Sequence, residues 1–561
     1  MKLKEFIQKN TIYLILGFLS LCFFLSASSY NYLSQSDNFI KWGSPDETAN
    51  YIFAKLYAQE GSMRFYEKYN LYANDIIHPR SMRSDAGIIK PVSFLGIILI
   101  FGKIASLTSY KVLPYLTPSL AAVGIIFYFL LLKNIFGPKI SYLATLILIP
   151  FPAYIYYSVR SMFHNVLFVV LLIIGLYYAI LMARKYGNSS RELGKYIYPA
   201  LAGLFFGLAI ITRTSELLWI IPLLLFLWIF NIKKIGFTKL IIFIIFLFLC
   251  FIPVLYWNQI LYQSPFNGGY AQMNASISRL AAISTEMINP LSANKKLLVE
   301  FKNIIFYFGF HPLLSIKTIY YYFIKMFYWI FWPAIAGCFI FLYKWRQFEK
   351  KHWLYLLSYL IISAILLLYY GSWQFYDNPD QNQATIGNSY TRYWLPVYLG
   401  ALPFVSIFIL KLTRLFKKRL YINLSRFFII ILIYFVSIWF VLFGSEEGII
   451  TINKKNKDVK KEFNKVLELT ENNAAIITKY HDKLLFPERK VIVGQFDNKD
   501  MNSQYRNLVN YIPVYYYNFT LPPIDFDYLN NKRLKEAGLR LAQKEEITED
   551  FTLYRLMPIR E

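Results

Sequence analysis

Long stretches of this chain have no polar face. Residues 240–257 read LIIFIIFLFLCFIPVLYW, and a helix that is apolar all round needs hydrocarbon on every side. Runs close to the roughly 17–25 residues that cross a bilayer recur from Thr11 to Gly444, separated by short turns rich in Lys and Arg. The pattern predicts an α-helical polytopic membrane protein. A basic start (Lys2, Lys4, Lys9) precedes the run at 11–27, which ends in LSASS, a sequence resembling a signal cleavage site. The run is longer than the about 7–15 residues of a signal core, so it is read as a retained first span.

The basic turns set an expected orientation. KYGNSSRELGK (185–195), IKKIGFTK (232–239), KWRQFEKKH (344–352) and KLTRLFKKRL (411–420) belong on the cytoplasmic side, and the N-terminus with them. The external segments are then 30–91, 160–163, 213–216, 258–317, 371–392 and everything after 444. This scheme requires that PVSFLGIILIFGKIASL (91–107) not cross. It is short, interrupted by glycine and carries Lys103, which suits an interfacial or re-entrant segment. Eleven crossings follow, the low end of about 11–13 transmembrane helices. The protein is expected in the cell membrane, with its C-terminal region outside.

Beyond residue 445 the pattern changes. KDVKKEFNKVLELT has helical periodicity, AAIITKY and KVIVGQF read as strands, NNKRLKEAGLRLAQKEE as a helix and FTLYRLMP as a closing strand. The expected division is a membrane domain over 1–445, with an external loop at 29–90, and a small soluble α/β domain over 446–561.

A net charge of +26 raises the question of nucleic acid. The basic residues lie in short turns between apolar runs, as contact with anionic lipid headgroups requires, and no nucleic-acid-binding motif is present. Cys22, Cys250 and Cys338 all fall inside apolar runs and have neither disulfide nor metal-ligand spacing. The 47 Tyr and 50 Phe suit both interfacial belts and a sugar-stacking cavity.

The stretch WGSPDETANYIFAKLYAQEG, 42–61, follows the first span. Ser44 is placed as an N-cap, Pro45 as the first helical residue, Glu47 as its capping-box partner and Gly61 as the helix stop. Ala49, Ile52, Phe53 and Leu56 form an apolar stripe, so the helix should lie along the membrane surface. Capping accounts for Glu47 and leaves Asp46 as a free carboxylate at the helix tip.

These motifs, in order, resemble the GT-C superfamily of polytopic glycosyltransferases, which use polyprenyl-phosphate-linked sugars. The similarity is to the branch of protein O-mannosyltransferases and lipid A aminoarabinose transferases. It rests on PDETANY in the first loop, then IIKPVSFLG (88–96), YYSVRSMFHNVLFVVLLIIGLYYA, GLAIITRTSELLWIIPLLL, LYWNQILYQSPFNGGY and SYTRYWLPVYLG, covering most of 42–400. ITKYHDKLLFPERKV resembles the soluble domain of some bacterial members. Two positions depart from the family pattern. His164 and Asn165 stand where a second acid is common, and the double proline is reduced to Lys90-Pro91-Val92.

The resemblance implies sugar transfer from a polyprenyl-phosphate donor to an acceptor hydroxyl on a protein, lipid or glycan, at the external face and with inversion. Asp46 is the expected base, with Glu47 beside it. Lys90, held by Pro91 at the external membrane surface, and Arg392, Arg160 and Arg213, which break the positive-inside trend, are the candidates for the donor phosphate. Tyr262, Gly268, Gly269 and Tyr270 lie in a turn-rich loop expected to close over substrate. Tyr390 and Tyr393 flank Arg392. No cofactor is assigned; a divalent metal is the one considered, and His78, Asp85 and His164 could join Asp46 or Glu47 around it, though no spacing demands one. The competing readings are a transporter or flippase of lipid-linked sugars, which predicts charges at span centres and repeats, and a cell-surface polysaccharide polymerase or ligase.

Overall fold

The computed structural model describes residues 2–35, 39–183, 192–270, 274, 299, 302–303, 305–377, 383–444 and 447–559. Most of the basic turn at 185–195 and much of the 258–317 segment lie outside the described residues.

Among the described residues, eight helices are long and apolar enough to cross a membrane. The longest such unit, Thr214–Tyr262, is broken at Gly236, whose φ of 67° and ψ of 172° no helix contains. Two further helix pairs are bent, by 56° at the break between Pro138–Leu148 and Pro152–Val159, and by 101° between Pro312–Lys325 and Tyr328–Tyr343. With the two Gly236 arms counted separately and each bent pair once, the described residues hold eleven segments that by length and composition could cross. Gly96–Leu107 has only 12 residues, about 18 Å of helix, well short of a bilayer core.

Close packing between spans relies on small residues. Gly203 and Gly207, four apart on Glu192–Thr212, lie against the backbone of Phe243 and Leu247, so a side chain at either would strike a carbonyl. With no hydrophobic drive between helices in lipid, such backbone approach supplies the packing energy. At one end of the bundle, Lys239 donates to the Met182 carbonyl at 2.8 Å, Lys350 lies over the Phe230 ring and Phe136 packs against His352. The basic turns at 232–239 and 344–352 are therefore at the same end of the bundle.

At the other end, α1 (Lys2–Ser34) leads into α2 (Pro45–Glu60), which packs along α3 (Gly96–Leu107). Pro45 opens α2 and Gly61, at φ 64°, closes it. The capping box does not form. Ser44 makes no side-chain cap bond, and Glu47 turns away to a distant arginine. A three-stranded antiparallel sheet follows, with β3 (Ile88–Pro91) between β1 (Phe65–Tyr66) and β2 (Met82–Asp85).

The C-terminal unit begins with α4 (Ile449–Glu468) and holds a five-stranded sheet. β4 (Ala475–Thr478) runs parallel to the edge strand β5 (Lys490–Val493) and to β6 (Val514–Phe519). β8 (Phe551–Pro558) pairs antiparallel with β6 and with β7 (Leu539–Glu546). The expected helix over 530–546 is corrected here: it ends before Gly538, whose φ is 68°, and Leu539–Glu546 is strand. The unit does not stand apart. Ala73 and Ile77 of the first loop belong to its core, and Ile77 and His78 bridge to Ile492 on the β5 edge, covering an otherwise open strand.

Candidate active site

Four segments converge at the N-terminus of α2. The loop between Pro152–Val159 and His164–Met182 is fixed by Asn31, which donates to Ser161 Oγ at 3.0 Å, and by Asn50, which donates to the Met162 carbonyl at 2.9 Å. Ser93 Oγ donates to Asn50 Oδ1 at 2.9 Å, bringing in the turn before α3. That turn abuts the end of the Glu192–Thr212 helix, where Gly96 leaves room for the Ile211 carbonyl. The fourth segment, Ser389–Tyr393, is capped by Asn388. Asp377 accepts from the Ser389 N–H at 2.7 Å and Glu447 from the Gly387 N–H at 2.8 Å.

The adjacent acids have different surroundings. Glu47 is fully buried, and its Oε2 accepts from Arg160 Nη2 at 2.5 Å and Nε at 3.1 Å. Arg160 also donates to Tyr156 and lies over the Phe163 ring. Asp46 is only half-buried and accepts one hydrogen bond, from Ser81 Oγ at 2.5 Å. Its charge is felt at His164, Tyr270 and Arg392. Glu47 is held by its ion pair with Arg160, whereas Asp46 is held by the Ser81 hydroxyl.

The arginines divide the same way. Arg213 is neutralised by Glu216 at 2.8 Å, a carboxylate that also accepts from Tyr370 and Trp219. Arg160 is neutralised by Glu47. Arg392 is 8% exposed and, among the described residues, has no carboxylate within ion-pair distance. Its Nη2 donates to Ser389 Oγ at 2.7 Å, and its Nε is buried without a partner. Phe163 offers its ring face to the charge, and Tyr393 offers its ring face and, at 3.5 Å from Nη2, its hydroxyl. A buried, unpaired guanidinium carries an effective desolvation penalty of several kcal/mol, and an anion in the site would relieve it. Tyr393 lies between Arg392 and Arg213, with its ring within 5.1 Å of both guanidinium carbons.

Lys90 is engaged elsewhere. It pairs with Asp85, donates to the Leu261 carbonyl at 2.6 Å and lies over Tyr262. Strand pairing sets Arg83 opposite Lys90, and Asp85 takes both cations. Burial opposes the Asp85 charge, but hydrogen bonds from Lys90 and Arg83 hold its carboxyl below the usual carboxylate value. This cluster ties the first loop to the end of the span at Tyr262, whose hydroxyl donates to the Pro91 carbonyl at 2.7 Å. The loop after Tyr262 then lies against the site. Gly268 is bracketed by Asn274, Gly269 packs directly on the Val92 backbone, and Tyr270 packs on Phe94. Tyr390 donates to the Trp373 carbonyl and supports the Arg392 segment from behind.

The three metal candidates do not come together. His78 Nδ1–H donates to the Pro79 carbonyl, Asp85 pairs with Lys90, and His164 Nε2–H donates to the Phe94 carbonyl at 3.2 Å. Among the described residues no three His, Cys, Asp or Glu side chains are grouped to hold a metal ion. Sequence reasoning passed over Ser81, which contacts Asp46, and the pair Asp377 and Glu447 behind Arg392. No motif marks any of them.

Residues 96–257 match the dolichyl-phosphate-mannose-protein mannosyltransferase family. No curated protein matches by sequence. By structure the chain is similar to ArnT from Cupriavidus metallidurans bound to undecaprenyl phosphate, at 9% identity and TM-score 0.51, covering 95% of this chain and 97% of that one. It is also similar to the Archaeoglobus fulgidus oligosaccharyltransferase tethered with an acceptor peptide, at 11% identity and TM-score 0.50, covering 91% of this chain and 70% of that one. At these identities the likeness is one of fold. Over residues 96–257 the chain is thus similar to that mannosyltransferase family, and over most of its length it shares the helical fold of these two solved proteins.

Proposed function

We propose that this protein transfers a sugar from a polyprenyl-phosphate donor to an acceptor hydroxyl on a protein, lipid or glycan, at the external face of the cell membrane. The observation that carries the reading is the buried Arg392 guanidinium, without a carboxylate partner among the described residues, within the field of a half-buried Asp46. Glu47 and Arg213 are taken up in the pairs Glu47–Arg160 and Arg213–Glu216, which leaves Arg392 as the cation to receive an anion and Asp46 as the carboxylate to accept a proton. The undecaprenyl phosphate bound to ArnT is consistent with a lipid phosphate as that anion. The clustering of basic turns at the opposite end of the bundle supports an external site.

In this reading the donor phosphate lies on Arg392, whose forked donors match its oxygens, and Arg213 adds field through the shared Tyr393 ring. Asp46 takes the proton of the acceptor hydroxyl as that oxygen bonds to the anomeric carbon. The bond from that carbon to the phosphate oxygen breaks, and the electron pair leaves with the polyprenyl phosphate. The new charge on the departing phosphate falls where Arg392 is already oriented, so little reorganisation is needed. A single displacement inverts the anomeric centre and needs no second carboxylate as nucleophile, consistent with His164 and Asn165 standing where an acid was expected. The transferred group is a hexosyl or pentosyl unit.

The test is transfer by the full-length protein in proteoliposomes supplied with radiolabelled polyprenyl-phosphate sugars. Asp46→Asn is expected to lower turnover by about 10²-fold or more, the usual contribution of a positioned base, while donor KM changes little. Normal turnover by Asp46→Asn refutes the assignment of the base, and failure of wild type to turn over any donor refutes the function.

A further inference from the structure

The C-terminal domain reaches the catalytic carboxylate through one short turn. Asp482 is fully buried and holds Arg80 by three contacts to the side chain and one to the backbone. Arg80 Nη2 and Nε lie 2.6 and 3.1 Å from Oδ1, Nε lies 3.2 Å from Oδ2, and the Arg80 N–H donates to Oδ2 at 2.9 Å. The next residue is Ser81, the hydrogen-bond donor to Asp46. Ser81 has φ 62°, a left-handed conformation that a non-glycine residue holds only when its surroundings impose it. Its carbonyl accepts from the Val92 N–H at 3.2 Å. The other flank of Asp46 is held by the same turn. Lys483 donates to the Gly43 carbonyl at 2.5 Å, Lys41 donates to the Phe486 carbonyl at 2.8 Å, and Lys41 pairs with Glu488 at 2.5 Å. Residues 482–488 thus grip the chain on both sides of α2's first turn.

We infer that the C-terminal domain is a working part of the catalytic site, and that Asp482 is a positioning residue for Asp46, acting through Arg80 and Ser81. The inference rests on the reading of Asp46 as the base. Asp482 touches no substrate; it fixes Arg80 at both its side chain and its backbone, which sets the Ser81 hydroxyl and so one carboxylate oxygen of Asp46. Small errors in the placement of a reacting group cost rate more than binding. A purely structural role would lower the amount of folded enzyme without this pattern.

The experiment measures kcat and donor KM separately for the full-length protein in proteoliposomes, with the radiolabelled donor lipid that wild type turns over. Asp482→Asn and Ser81→Ala are each expected to lower kcat about 10-fold, with donor KM within about twofold. Combined, they are expected to be no slower than the slower single variant, because both act on one contact. Arg80→Lys keeps the charge without the fork, and since Arg80 is 41% exposed it carries the test if Asp482→Asn proves sensitive to protease. Its kcat should fall to a similar extent. A folded Asp482→Asn or Arg80→Lys with wild-type kcat overturns the inference, as does a double variant whose losses multiply to about 100-fold. Asp46→Asn separates the two failures: if it is inactive while Asp482→Asn, Ser81→Ala and Arg80→Lys work normally, only the positioning role is lost; if Asp46→Asn is itself normal, the base falls and the positioning role with it.

Discussion

Replacing Glu47 by Gln should damage the fold rather than the chemistry. Glu47 is fully buried and neutralises Arg160 through two hydrogen bonds to one oxygen, while its second oxygen has no partner. The amide keeps the shape and removes the charge. Arg160, with its side chain 18% exposed, is then left as a buried cation facing a neutral group. Breaking a buried pair from one side costs about 3–5 kcal/mol. The lower end applies here, because Arg160 retains Tyr156 and the ring faces of Tyr156 and Phe163, contacts of about 0.5–2 kcal/mol for such cations. The double variant Glu47→Gln/Arg160→Met removes the orphaned charge as well and should recover much of the loss. Thermal melting of purified protein in detergent, followed by tryptophan fluorescence, reads both. The reasoning is refuted if Glu47→Gln melts with wild type, or if the double variant melts below the single one.

Gly269→Ala would drive a methyl group into the Val92 backbone; the loop before Tyr270 should lift from the site, raising donor KM several-fold in the transfer assay without changing the melting temperature. Burial, aided by the nearby Lys483 charge, pushes His481 down to about 4, so at pH 7 its 3.1 Å contact with Glu462 is a hydrogen bond from a neutral ring. The unfolded chain takes up that proton near pH 6.5 and the folded chain only near 4, so stability is full above about 6.5 and falls as the pH drops towards 4. The loss is on the order of 2–3 kcal/mol. Melting temperatures of wild type and His481→Phe at pH 7 and pH 4.5 test this, and equal acid sensitivity of the two proteins excludes His481 as the source.

What the sequence disclosed was local. Run lengths located the spans, Gly236 and the basic turn around it marked a reversal, and Pro45 and Gly61 bounded α2, because each signal lies within a few residues of its effect. The run at 91–107 was marked by its length, its glycines and Lys103, and the helix formed there has 12 residues. Partner choice was not legible. Glu47 looked like a cap because Arg160 is 113 positions away, and Lys90 looked like a phosphate ligand because the strand pairing that gives it Asp85 is not written in either residue. Leu539–Glu546 was hidden by helix-forming residues, and only Gly538 and the alternation of Leu539 and Leu541 hint at a strand. Val514–Phe519 was passed over because a central strand buried on both faces shows no alternation. Arg392 was identified as a candidate, but its lack of a counter-ion is a property of the assembled site.

The central claim is that Arg392 holds the donor phosphate beside the Asp46 base. Its most direct test is equilibrium binding of radiolabelled polyprenyl phosphate to purified wild type, Arg392→Gln and Asp46→Asn in nanodiscs. Arg392→Gln is expected to bind at least about 10-fold more weakly, as loss of a charge-assisted bidentate contact implies, while Asp46→Asn binds as tightly as wild type or more so. Undiminished binding by Arg392→Gln would contradict the claim.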